Sequence, residues 1–65
     1  MIQQEASVHL RALAGEIAAL DERRERLVSA RRSALKRARA VGVSWDELIE
    51  ASGLSRGMVQ RELKR

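Results

Sequence analysis

Apolar side chains recur along the first half of the chain at intervals that alternate mainly between three and four residues. They are Leu10, Leu13, Ile17, Leu20 and Leu27. This spacing places them along one side of an α-helix, like the a and d positions of a coiled coil. Between Glu5 and Val41 there is no proline, and Gly15 is the only helix-weakening residue. The pattern predicts one helix of about 37 residues, roughly 55 Å long, that ends at Gly42.

The apolar pattern changes near residue 27. With Leu10 and Ile17 at a positions, the next two a positions hold Arg24 and Arg31, so only Leu27 continues the first pattern. A second stripe begins there on a shifted face and consists of Val28, Leu35 and Ala38, flanked by Ala34 and Val41. We interpret it as the first helix of a three-helix unit. Its expected packing partners in the C-terminal segment are Leu48, Ile49, Leu54, Val59 and Leu63.

The segment from Gly42 to Arg65 predicts two short helices with capping residues. Ser44 and Glu47 have the S-x-x-E spacing of a capping box, Gly53 is placed to end that helix, and Ser55 caps the next one. Two helices joined by a short glycine-containing turn are typical of the helix-turn-helix motif. The predicted fold is therefore all-α. A coiled-coil-like helix, residues 1–27, continues without a break into a helix-turn-helix head, residues 28–65.

Composition favours self-association. The chain has 65 residues, no cysteine and a single aromatic residue, Trp45. So short a chain buries only about 60% of its unfolded surface. We expect a homodimer through Leu10, Leu13, Ile17, Leu20 and Leu27, which we call the seam. Packing of this helix within the monomer, or on a membrane surface, is the alternative. Charges beside the seam favour an antiparallel pair, but exposed ion pairs contribute only ~0–1 kcal/mol each, so the sequence leaves both orientations open.

Positive charge is concentrated in the C-terminal part. Residues 28–65 hold nine Lys and Arg against four acids, a net of +5, whereas residues 1–27 hold four against five, a net of −1. A basic head next to a helix-turn-helix pattern is the electrostatic feature expected of a phosphate-binding surface. A merely well-solvated surface is the alternative explanation.

The last 35 residues, RRSALKRARAVGVSWDELIEASGLSRGMVQRELKR, resemble a known group. They are similar to the short trihelical helix-turn-helix domains of bacterial, especially actinobacterial and phage, DNA-binding proteins. The matching positions are Leu48, Ala51, Gly53, Leu54, Ser55, Arg56, Val59 and Leu63. Ile49 departs where a small residue is usual and Ser52 departs where Leu is common, and either is expected to open the angle between the two helices slightly.

The resemblance implies that Ser55 to Lys64 is the recognition helix. The expected outward positions on it are Arg56, Gly57, Gln60, Arg61 and Lys64. Arginine pairs with guanine and glutamine with adenine in the major groove, which makes Arg56, Arg61 and Gln60 the candidates for base contacts. The candidates for phosphate contacts are Lys36, Arg37 and Arg39 on the first helix, and the helix N-termini at Ser44 and Ser55. Capping alone explains the serines equally well, and Trp45 is expected to pack at the edge of the domain.

The chemistry needed for catalysis is missing from the sequence. There is no Cys, His9 is the only histidine, and no glycine-rich phosphate loop is present. We therefore expect a non-enzyme without a metal site, cofactor or small-molecule ligand. The sequence has neither a signal-peptide pattern nor a membrane span, so the expected location is the bacterial cytoplasm, with the protein on the nucleoid when it is bound to DNA.

Two functions remain open at this stage. The first is sequence-specific binding of double-stranded DNA by a small dimer, as a transcriptional regulator or a control factor of a phage or mobile element. The alternative is a protein–protein interaction module that uses the head and the long helix to bind a host or partner protein.

Overall fold

The computed structural model describes residues 3–65 and confirms the all-α fold. Three helices follow one another: α1, Gln3–Ala40; α2, Trp45–Ser52; and α3, Arg56–Lys64. The first two residues of the predicted segment 1–27 lie outside the described residues. The described chain measures 59 × 17 × 17 Å. A straight helix of the length of α1, 38 residues, spans about 57 Å. α1 therefore runs almost unbent along the whole molecule.

Glycine and serine residues end and start the helices as the sequence predicts. Gly42 (φ 92°) and Gly53 (φ 71°) both take the left-handed conformation, where a side chain would be strained. At Gly42 the N–H donates to the carbonyl of Arg39, and the next N–H, of Val43, donates to Ala38. These two bonds form a Schellman motif that turns the chain back toward α1.

Ser52, one of the two residues that depart from the resemblance, makes hydrogen bonds in the α2–α3 turn. The Ser52 hydroxyl accepts a hydrogen bond from the Leu54 N–H at 3.2 Å and donates to the Ile49 carbonyl at 3.4 Å. Gly53 donates its N–H to the same carbonyl. Ser52 thus supplies a polar partner for a backbone N–H in the turn, which leucine would leave unpaired.

The core of the head is small and joins all three helices. Leu35 of α1, Leu48 of α2 and Val59 of α3 are buried, and Val59 has no exposed surface. Partly buried apolar residues surround them: Ala38, Val43, Trp45, Ile49, Leu54 and Leu63. Every expected core residue of the C-terminal segment therefore contributes to the packing.

Three residues of the second stripe differ from expectation. Val28 is half-buried but is not among the residues that pack against the core. Val41 does not flank the core, because α1 ends at Ala40 and the side chain lies in the following turn, 81% exposed. Ala34 is exposed as well, although it lines a shallow groove with Leu48 and Ala51 of α2. The head therefore packs on a narrower strip of α1 than predicted, centred on Leu35.

The two apolar stripes of α1 lie on the same side of the helix, which corrects the expectation of a shifted face. Ile17 and Leu35 are eighteen residues apart, as are Leu20 and Ala38. Eighteen residues make five full turns, so each pair points in the same direction from a straight helix. Because Leu35 and Ala38 face α2 and α3, the exposed seam runs along the side of α1 that carries the head.

We expect Val59→Ala to destabilise the head by about 2 kcal/mol or more, because it removes two buried methyl groups and leaves a cavity in a three-residue core. Val41→Ala is the matched control, since the same atoms are removed from an exposed side chain, and it should change the free energy of unfolding little. Thermal or urea unfolding followed by circular dichroism measures both. Equal unfolding curves for the two variants would show that Val59 is not the centre of the core.

Candidate nucleic-acid interface

The predicted recognition helix presents one exposed, positively charged side. Arg56, Gly57, Gln60, Arg61 and Lys64 are all exposed. Val59 and Glu62 face the interior, and Met58 and Leu63 lie at the edges of the buried side. The side chains expected to reach DNA thus lie on the solvent side of α3, while their role in binding stays a prediction.

The only acidic residue of α3 is turned away from that side. Glu62 is 5% exposed, and its carboxylate accepts a hydrogen bond from the Arg32 Nε of α1 at 2.7 Å. This bond is charge-assisted, and it neutralises the carboxylate inside the head. The solvent-facing side of α3 therefore carries cations with no acid among them.

The ion pair also sets the charge state of Glu62. The hydrogen bond from Arg32 lowers the pKa of Glu62 below its ordinary value, and the positive charges of Arg32, Arg65 and Arg31 act in the same direction. Burial of the carboxylate opposes this shift and is outweighed. Glu62 consequently remains ionised under mildly acidic conditions, and the α1–α3 bond remains intact.

Glu62 is not among the outward positions predicted for the recognition helix, and the sequence alone does not identify a partner for its carboxylate. A usable signal was present, since Glu62 follows the buried Val59 by three residues and therefore lies on the same side of α3. An acid at such a position needs a base on the facing helix. The sequence offers several arginines there, and only the packing of α3 on α1 selects Arg32.

A cationic groove lies between the C-terminal end of α1 and α3. Its lining residues come from both helices and from the start of α2: Lys36, Arg39, Ala40, Trp45, Gln60, Leu63 and Lys64. Two of the three phosphate candidates on α1 therefore lie beside α3, the predicted recognition helix. The third, Arg37, is exposed and does not line this groove.

Trp45 holds Arg39 in place at one end of the groove. The Arg39 guanidinium lies 4.7 Å from the centre of the Trp45 ring and donates to the Val43 carbonyl at 3.2 Å. Trp45 is half-buried and packs against the core, as expected for an edge residue. The cation–π contact was not anticipated, and it fixes a guanidinium that would otherwise sample many rotamers.

Lys36 is restrained in a different way. Its ammonium group donates to the main-chain carbonyl of Arg65, beyond the end of α3. A cation at this point also interacts favourably with the C-terminal dipole of α3. Lys36 thus ties the C-terminal end of α3 to α1 while remaining exposed to solvent.

The two N-cap serines use their hydroxyls in capping. The Ser44 hydroxyl accepts the N–H of Glu47 at 3.2 Å, and the Ser55 hydroxyl accepts the N–H of Met58 at 3.2 Å. The capping explanation of these residues is therefore confirmed. A phosphate contact would have to use the remaining backbone N–H groups of the first turns, and that part stays a prediction.

Metal-binding clusters and membrane-spanning helices are both absent from residues 3–65. No group of three or more His, Asp or Glu side chains there is arranged to hold a metal ion. No helix in this part of the chain is long and apolar enough to cross a membrane.

Comparison with known proteins adds no relative to this description. No family model, no curated protein and no solved structure matches the chain.

The Arg32–Glu62 pair should make stability depend on pH on the acid side. The pKa of Glu62 is lowered in the folded state, so this carboxylate stabilises the fold fully above its ordinary pKa in the unfolded chain. The contribution is lost as the pH falls through the lower pKa of the folded state. We expect Glu62→Gln to reduce the loss of stability on acidification below about pH 5, measured by melting temperature against pH.

The exposed Glu50 provides a control for this experiment, because Glu50→Gln removes the same charge without breaking an α1–α3 bond. If Glu62→Gln and Glu50→Gln gave the same profile of melting temperature against pH, the ion pair would not be the source of the acid sensitivity.

Proposed function

We propose that this chain is a homodimeric helix-turn-helix protein that binds double-stranded DNA in a sequence-specific manner. It would act as a regulator of transcription or as a control factor of a phage or mobile element. The observation that carries the proposal is the exposed cationic side of α3, next to a groove in which Lys36, Arg39 and Lys64 converge.

The shape of the head supports insertion of α3 into the major groove. α3 is nine residues long and is held from behind by Leu35, Leu48 and the Arg32–Glu62 bond. In helix-turn-helix complexes the second helix enters the major groove and the neighbouring elements contact the backbone. α3 has the support and the free face that this docking geometry requires.

The two sets of cations suit two different tasks. Gln60 and Arg61 project from the middle of the free face of α3, where base edges would lie. Lys36 and Arg39 stand to the side on α1, where a phosphate strand bordering the groove would pass. Binding and positioning of DNA, without catalysis, is the role that these side chains fit.

The dimeric state is part of the proposal. The five seam residues are 43% to 66% exposed, and the head covers none of them. Apolar side chains aligned over so many turns favour association, and two heads would double the number of phosphate contacts. The bacterial cytoplasm, and the nucleoid when DNA is bound, are the locations that this function requires.

The decisive experiment is a gel-shift titration of the purified protein against duplexes selected from a random pool, repeated at several salt concentrations. We expect affinity to fall steeply with salt, because cations that neutralise phosphates release counterions. Absence of binding to any duplex at low ionic strength would contradict the proposal and favour the interaction module instead.

We further expect base reading and phosphate binding to separate by residue. Arg61→Ala or Gln60→Ala should relax the sequence preference, by about 1–3 kcal/mol of discrimination for each lost base contact. Lys36→Ala should weaken binding to all duplexes similarly and reduce the slope of the salt dependence by about 1. Binding to selected and scrambled duplexes measures both effects.

Arg11→Ala serves as the control for these variants, because it removes one positive charge from the exposed N-terminal half of α1, far from the groove. A selected-site profile that survived both Arg61→Ala and Gln60→Ala would place the reading surface elsewhere.

A further inference from the structure

The exposed seam of α1 stops where the head begins. Leu10, Leu13, Ile17, Leu20 and Leu27 are open to solvent. Ala34 continues the seven-residue spacing of Leu20 and Leu27, and it lines a groove with Leu48 and Ala51 of α2. A helix lying along the seam therefore meets α2 just beyond residue 30. The free apolar surface is bounded at this end by the protein's own head.

We propose that a second copy of this chain occupies the seam in the antiparallel orientation. Leu10 would then lie opposite Leu27 of the second copy, and Ile17 opposite Leu20 of the second copy. The inference rests on the homodimer of the proposed function and adds its geometry.

Steric considerations favour this orientation. In a parallel pair the two α1 helices would lie about 8–10 Å apart along their whole length. Over residues 31–40, α1 of each copy would then overlap with α2 of the other copy, because α2 lies beside Ala34 and Ala38 of its own α1. α1 is straight and continuous there, so the helices could not diverge without bending. In an antiparallel pair only the first turn of the second copy reaches the head.

Charges beside the seam point the same way. In the antiparallel register Glu16 lies near Arg23 of the second copy, and the two-fold symmetry repeats this attraction. In a parallel coiled coil Glu16 would face Asp21 of the second copy, which is repulsive. Arg24 would also meet its own equivalent in the core, whereas the antiparallel register places it beside Leu13 and lets its guanidinium reach solvent.

The antiparallel arrangement separates the two heads. It pairs residues whose numbers add up to about 37, so the two Leu35 positions would lie some 33 residues of helix apart, about 50 Å along the axis. The distance is counted from Leu35 and not from the end of α1, because the head is centred on Leu35. It exceeds the ~34 Å between major grooves one turn apart on straight DNA. The preferred half-sites should therefore be spaced more widely than one helical turn.

A single charge reversal distinguishes the two orientations. In the antiparallel dimer, Glu16→Arg places a positive charge opposite Arg23 of the second copy and should weaken the dimer. In the parallel dimer, the same change places it opposite Asp21 of the second copy and should strengthen the dimer. Glu16 is exposed and has no charged residue three or four positions away on α1, so the fold of the monomer should be unaffected. We expect the dimer dissociation constant from sedimentation equilibrium to rise about two- to tenfold.

Two further variants complete the test. Adding Arg23→Glu to Glu16→Arg should restore the wild-type dissociation constant, because it recreates the attraction with the signs exchanged. Glu22→Arg makes the same change of charge away from the seam and controls for overall repulsion. Any of three results would overturn the inference. The dimer could become tighter with Glu16→Arg, Arg23→Glu could fail to restore the dissociation constant, or the wild-type protein could be monomeric at micromolar concentration.

Cysteine cross-linking gives an independent readout, since the chain has no cysteine of its own. Leu10→Cys and Leu27→Cys proteins, mixed in a glutathione buffer, should form mainly the mixed disulfide. Disulfides between identical variants would indicate a parallel pair and contradict the inference. DNA binding is measured separately on the wild-type protein. If the mixed disulfide forms but the protein does not bind DNA, the proposed function is contradicted and the antiparallel orientation stands. If the protein binds DNA but the dimer is parallel, only the antiparallel orientation is contradicted.

Discussion

The contact of Leu35 with Leu48 and Val59 is the interaction on which the rest of this molecule depends. Within residues 3–65 it is the one place where buried apolar side chains from all three helices meet. Burial of each aliphatic side chain contributes about 1.5–3 kcal/mol, so the head has little reserve of stability. Without this contact α2 and α3 would have nothing to pack on, and the exposed side of α3 would lose its fixed direction.

Polar contacts around this core hold the three helices together, a role that further apolar burial would have in a larger domain. The Arg32–Glu62 bond joins α1 to α3, the Arg39–Trp45 contact joins α1 to α2, and Lys36 reaches the end of α3. All three bases come from α1, so the helix that supplies Leu35 also fixes the position of the other two. The same contacts order cations at the border of α3, which links the stability of the head to the surface proposed to bind phosphate.

One side of α1 packs against the head near the C-terminal end of the helix and is exposed to solvent along the preceding turns. Near its C-terminal end that side is covered by α2 and α3, and over the preceding turns it is exposed as the seam. Since eighteen residues make five turns of a straight helix, these two surfaces face the same direction. The position of the head therefore limits how a second copy can approach. The proposed geometry of association and the observed geometry of the head both depend on this one apolar stripe.

The helices and their ends can be predicted from the sequence, because they depend on local chemistry. The spacing of Leu10 to Leu27, the absence of proline, and the caps at Ser44, Gly53 and Ser55 predicted the three helices, and the apolar spacing of the C-terminal segment identified Leu48 and Val59 as core. Which distant side chains meet depends on how the three helices pack together. Arg32 rather than another arginine pairs with Glu62, Arg39 lies over Trp45, and Val41 is left in solvent. These outcomes depend on the angles at which α2 and α3 cross α1, and a one-dimensional pattern of residue types carries no information about such angles.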